Sequence, residues 1–186
     1  MDAVKLLLER ASALKLKEPG PSQEELDTIL RSALRAPDHG RLRPWHFIDI
    51  SGDERARFGK LLAASLKFRE PDTTQEMLER EQQKALRAPL ILIVVARTTP
   101  SGKIPEVEQI VSAGAAAEHV MLATQALGYG SMWRTGAPAY DARVKEGLRL
   151  QGSDAIIGMI YIGTPAVLPP ELTHLDLGDF VTLWKG

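Results

Sequence analysis

The chain has 186 residues, 44% of them apolar and 25% charged, enough for one compact domain with a real core and short for two. A formal net charge of -1 offers no global basic field for nucleic acid. There is no cysteine, which excludes disulfides, thiolate metal sites, iron–sulfur clusters and cysteine nucleophiles and suits a reducing cytoplasm.

The opening MDAVKLLLER mixes acids and bases too closely for a signal-peptide core. The longest apolar runs are about strand length, so nothing is expected to span a membrane. Residues 2–11 read as a helix with Val4, Leu7, Leu8 and Ala11 on one face. Glu18-Pro19-Gly20-Pro21 breaks it. Ser22, three residues before Glu25, makes a capping box for a second helix with Leu26, Ile29, Leu30, Ala33 and Leu34 on its apolar face. Pro37 should end that helix, because a proline steers the residue before it out of the helical region. His46–Ile50 reads as a strand.

Residues 53–86 predict two charged helices separated near Pro71, their charge spread as in a partly exposed lid rather than core. Leu90–Ala96, LILIVVA, predicts a strand covered on both faces. From Pro105 to Leu127 runs a long helix with the small-residue stretch SAGAAAEH at 112–119. It is the candidate central helix, and Gly128 is placed to stop it. Tyr129–Arg134 and Ala155–Ile162 read as strands, with a short helix Tyr140–Leu148 between them. The Pro-rich tail from Thr164 closes on FVTLW, Phe180–Trp184, which lacks a helical period and is expected to pack on something, for instance as a strand added to a neighbouring subunit. Helices interleaved with single strands favour an α+β fold in three layers, a central mixed or antiparallel sheet flanked by helices, with residues 1–186 as a single domain.

Several chemistries lack their signatures. There is no G-x-G-x-x-G at a first strand–helix turn, no P-loop and no G-x-S-x-G. His39 and His46, seven apart with no clustered acid, do not make a metal site. The cations are more suggestive. Arg10 and Ser12 close the first helix, and a guanidinium with a hydroxyl two residues away can grip one phosphate. Complementation of the helix dipole competes for Arg10, Arg31 and Arg35 alike. Arg35 and His39, followed by Pro44-Trp45, place a cation and an imidazole at a rigid corner, APDHGRLRPWHF, with more chemistry than a turn requires.

Four segments in order resemble the nitroreductase family of flavin mononucleotide (FMN) enzymes: Arg10-Ala11-Ser12; Ala36-Pro37 through Pro44-Trp45; Gly130-Ser131-Met132-Trp133-Arg134-Thr135-Gly136; and Ile162-Gly163-Thr164-Pro165. The resemblance implies a homodimer with FMN in a cleft between subunits, and a flavin that carries the hydride chemistry. By it, Arg10 and Ser12, with the Ala11 backbone between, hold the phosphate and ribityl chain. Arg35 and His39 reach the flavin of the partner subunit, and Ser131, Met132 and Trp133 line it. Thr135 and Gly136 put a backbone N–H near flavin N5, while Arg35 and Arg134 offset negative charge on the reduced ring. NADH or NADPH is the implied reductant, in a ping-pong reaction with a nitroaromatic or quinone acceptor. A flavin reductase or dehalogenase on the same scaffold, or a non-catalytic flavin-binding dimer, is the alternative. The chain departs from many members in having Ala11 where they carry a second basic residue, and in offering only Lys185 near its end where longer members have a basic pair.

Overall fold

The computed structural model describes residues 2–100, 103–169 and 171–186; Met1 of the predicted opening and Pro170 of the predicted tail lie outside the described residues. Asp2 caps α1 (Ala3–Glu9) by accepting from the Lys5 N–H. The helix stops two residues earlier than its periodicity suggests, so Ala11 is not helical, and Val4, Leu7 and Leu8 face outward rather than into a core. A two-residue strand, β1 (Leu16–Lys17), follows, too short to leave a pattern in the sequence. The capping box forms as expected: Ser22 Oγ and Glu25 exchange hydrogen bonds at the start of α2 (Gln23–Ala33). Leu34 lies just beyond the helix and is exposed.

The chain then makes a short 3-10 turn at His39–Arg41 and enters β2 (Trp45–Ser51). Residues 53–86 form two helices as expected, α3 (Glu54–Arg69) and α4 (Gln75–Gln83). They are not merely a lid. Phe58, Leu62 and Leu66 of α3 are buried in the core, since polar residues between them had masked the apolar stripe. All seven residues of β3 (Leu90–Ala96) are buried. After α5 (Glu106–Ala126), Gly128 adopts φ 89°, a left-handed conformation open to glycine. Next come β4 (Gly130–Arg134), two short helices, α6 (Ala137–Tyr140) and α7 (Ala142–Gly147), and the long β5 (Ala155–Pro165). The expected single helix over Tyr140–Leu148 is divided because Asp141 leaves the helical region to cap α7 through the N–H groups of Arg143 and Val144. Strand β5 runs into the start of the tail, through Pro165, where it pairs β1; beyond it the tail has one 3-10 turn, Leu177–Asp179, and no strand among its described residues.

Every strand pair is antiparallel, which removes the mixed alternative. β2 pairs β3, β3 pairs β5, and β5 also pairs β4 and, at its end, β1. α2 and α5 cover one face, where Leu26, Ile29, Ala117 and Val120 meet Leu92, Val94, Ile160 and Ile162. α3 and α7 cover the other, where Phe58, Leu62 and Val144 meet Ile91, Ile93, Val95 and Met159. Each large aliphatic side chain buried in this way contributes about 1.5–3 kcal/mol. These are the three layers.

Two features of α3 are testable. At Gly59 a Cβ would lie 2.4 Å from the Gln82 carbonyl oxygen, so only glycine lets α3 and α4 approach so closely. Gly59→Ala is expected to cost about 1–3 kcal/mol, read as a lower urea midpoint. Further along the helix, Ser65 Oγ donates to Asp141 Oδ2 at 2.6 Å, and Arg69 reaches both groups. Burial pushes the Asp141 carboxyl up, but the hydrogen bonds from Ser65, Arg69 and the Arg143 and Val144 N–H groups together outweigh it and hold it below its ordinary value. A depressed carboxyl stabilises the fold above its unfolded pKa and loses that contribution as pH falls through the folded one. The stability gap between the unmutated chain and Asp141→Asn should therefore be widest near neutrality and shrink below about pH 4, measured by denaturant titration across pH.

Candidate functional site

The segment leaving α1 is laid along β4 and anchored by α5. Ala13 N–H donates to the Ser131 carbonyl at 2.8 Å. The Gln125 carboxamide closes the other side, accepting from the Ala11 N–H and donating to the Glu9 carbonyl, each at 3.2 Å. Arg10 Nε lies 3.4 Å from Glu118 Oε1. Ala13, directly after Ser12, is thus tied to Ser131, while Arg10 and Ala11 are held by α5. The Ala11 N–H, however, is already committed to Gln125, whereas the Ser12 hydroxyl has no partner among the described residues.

A cleft of two lobes opens beside β4. The larger, about 530 Å³, lies between α3, the end of α4 and the Trp133–Pro138 segment. The second, about 420 Å³, is bounded by residues 13–16 and Met132. Arg87, Arg134 and Tyr161 line both and mark where they meet. Trp133 is held firmly in place, packed against the cluster under α2 and α5: its indole Nε1 donates to the Ile157 carbonyl at 3.2 Å and lies over Gly158, where a Cβ would fall 2.1 Å from Nε1. Thr135 and Gly136 follow at the rim, Gly136 at φ 87°.

The cleft is rich in cations. Lys84 pairs with the buried Glu81 at 2.5 Å, and Arg69 is held by Asp141. Arg134 stands 5.8 Å from the centroid of the Tyr161 ring. Burial drives the Tyr161 hydroxyl pKa up, while the positive charges of Arg134 and Arg87 pull against it. Sequence reasoning missed Lys15, Glu81, Lys84, Arg87 and Tyr161. Lys15 had a usable signal, being a cation three residues beyond Ser12. The other four occupy charged helical turns or an apolar run where only the tertiary fold reveals convergence.

Arg35 and His39 do not join this cleft within one chain. Arg35 is exposed just beyond α2. His39 lines a separate groove of about 300 Å³ with Pro37, Val107 and Val111, and its Nδ1 sits 2.6 Å from Glu108 Oε2. Glu108 and Gln125 are seventeen residues apart on α5, so the anchors of His39 and of Ala11 are separated by about 26 Å at about 1.5 Å per residue. His39 and Ala11 are thus held at opposite ends of α5.

With this geometry in place, comparison with known proteins gives concordant results. The model of the family described as "Nitroreductase family" matches residues 7–164. "Putative NAD(P)H nitroreductase YdjA" of Escherichia coli K12 is 40% identical over 183 residues, covering 98% of this chain and 99% of that protein. The crystal structure of a nitroreductase-like family protein from Bacillus cereus superposes with a TM-score of 0.86 at 20% identity, covering 100% of this chain and 97% of the other. That of a mutant of the FMN and NADPH-dependent nitroreductase NfnB, from a "sphigopyxis" strain, does so with a TM-score of 0.77 at 18% identity, covering both chains completely. The structures share the fold; the family model and the YdjA identity carry the assignment, and the chain belongs to the nitroreductase family.

Proposed function

We propose that this chain is an FMN-dependent oxidoreductase that takes a hydride equivalent from NADH or NADPH and passes electrons, in ping-pong order, to a small electron-poor acceptor such as a nitroaromatic or quinone. The observation that carries the reading is the two-lobed cleft running from residues 13–16, directly after Arg10–Ser12, along Met132–Arg134 to Gly136, with cations and polar groups around it. The names of YdjA and NfnB point the same way.

The residues present fit the cofactor. Its phosphate carries about two negative charges. Arg10 offers a guanidinium, Ser12 an unused hydroxyl, and Lys15 a second cation in place of the basic pair that the tail lacks. Glu118 holds Arg10 in place while taking part of its charge. Around the larger lobe, Glu81 is an acceptor and Lys84, Arg87 and Arg134 are donors, a set that suits the polar edge of an isoalloxazine. Flavin, when bound, supplies the hydride chemistry. The protein's own contribution is to exclude water with Met159 and Tyr161, to direct the N–H groups of Thr135 and Gly136 at the ring, and to offset negative charge with Arg134 in a partly dry cleft.

The roughly 26 Å between the anchors of His39 and Ala11 along α5 supports reading His39, and with it Arg35 as the family resemblance implies, as residues of the other site in a homodimer. Val4, Leu7 and Leu8 on α1 and Val107 and Val111 on α5 are exposed and suit such an interface. The tail, with Trp184 90% exposed, suits an arm laid on the second copy, where Phe180–Trp184 can add a strand to the open edge of β2. The absence of cysteine fits a cytoplasmic setting.

The purified protein should show a flavin absorption spectrum that bleaches with NADH or NADPH without oxygen and returns on adding a nitroaromatic or quinone. A spectrum indifferent to both donors would leave a flavin-binding protein, and failure to take up FMN would sink the assignment. Arg10→Ala should weaken FMN binding by about ten- to a hundredfold, the loss of a charge-assisted contact. Sedimentation equilibrium should give twice the chain mass of 20.4 kDa, and removal of residues 168–186 should shift the balance toward monomer.

A further inference from the structure

The corner that carries His39 is backbone-strained. Within four residues Gly40, Arg41 and Arg43 adopt φ values of 72°, 56° and 50°, and for the two arginines this left-handed region is unfavourable. Three contacts hold it. Asp38 Oδ2 accepts from the Arg43 N–H at 2.7 Å. Ser112 Oγ donates to the Pro37 carbonyl at 2.7 Å, and Glu108, one turn before Ser112 on α5, meets His39 Nδ1 at 2.6 Å. An exposed ion pair is usually worth little to stability, and this one is exposed on both sides. Its placement is better explained by what it does to the imidazole: with Nδ1 engaged by a carboxylate, the proton is held on Nδ1 and Nε2 is the nitrogen left for a ligand.

We propose that Glu108 is a positioning residue: by accepting the Nδ1 proton it fixes the His39 ring so that Nε2 meets the flavin bound in the cleft of a second copy of this chain. This rests on the proposed function, in which His39 serves the cofactor across a dimer. Ser112 supports the same device by pinning the Pro37 carbonyl, so α5 sets both the backbone and the ring. Glu108 touches no cofactor itself and acts only through His39.

A double-mutant cycle on FMN affinity tests this, with apo-protein titrated with FMN and followed by quenching of flavin fluorescence. His39→Ala and Glu108→Ala should each raise the FMN Kd about fivefold, the worth of one hydrogen bond. The double variant should be no worse than His39→Ala alone. Glu108→Gln keeps an oxygen that can accept from Nδ1 and should change Kd by less than about twofold. Thermal melts of each apo-variant show whether it is folded, and should Glu108→Ala not fold, Glu108→Gln against His39→Ala still decides. If Glu108→Ala weakens binding as much in the His39→Ala background as in the unmutated chain, or if Glu108→Gln is as damaging as His39→Ala, Glu108 does not work through the ring and the proposal is overturned. If His39→Ala leaves Kd unchanged, the role of His39 at the cofactor falls, and this proposal with it, while the flavin spectrum still decides the oxidoreductase reading independently.

Discussion

Both faces of β3 and most of β5 are covered by helices, and this covering decides where chemistry can occur. A strand with no exposed face offers a ligand nothing but its ends and its sheet's edges. On one side β2 closes the sheet with an open edge. On the other, β4 pairs only part of β5, and the chain at residues 13–16 bends past its rim. The cleft lies there because the sheet is incomplete there, and its walls come from whatever segments pass that rim: residues 13–16 after α1, the turn after α4, and the loop that opens α6.

α5 does two different jobs along its length. Its buried flank, with Ala113, Ala116, Ala117 and Val120, consists of small or branched residues that let α2 and the sheet approach closely. Polar groups spaced along the same helix each hold a loop. Glu108 and Ser112 hold the corner after α2, Gln109 bonds the Thr99 backbone through both ends of its carboxamide, and Glu118 and Gln125 hold the segment after α1. Loops that carry function are mobile unless something rigid fixes them, and one helix fixes all of these.

Much of this was legible in the sequence where a single local rule decided the outcome. Ser22 with Glu25 announced α2, LILIVVA announced a doubly covered strand, and Gly128 announced the end of α5. The residue after the first motif segment, Ala13, bonds to Ser131 of the third. What stayed hidden depended on tertiary context. The α3 stripe of Phe58, Leu62 and Leu66 is diluted by the charged residues between its members. Glu81 and Lys84 look like any solvated i,i+3 pair until β4 stands opposite them. Tyr161 reads as one more apolar strand residue, and only its two arginine neighbours distinguish it. Asp141 divides a helix that periodicity alone would have run through, because a cap competes locally with continuation.

The distance along α5 has a consequence for how such a protein would respond to dilution. If each cofactor is gripped by one end of one copy and the opposite end of another, loading and assembly are thermodynamically linked: whatever free energy the pairing of chains adds to cofactor affinity, the cofactor returns to the pairing. Apparent affinity then depends on protein concentration as well as on ligand. Scarce protein and scarce cofactor reinforce each other's losses, and a dilute chain sheds its cofactor sooner than a concentrated one.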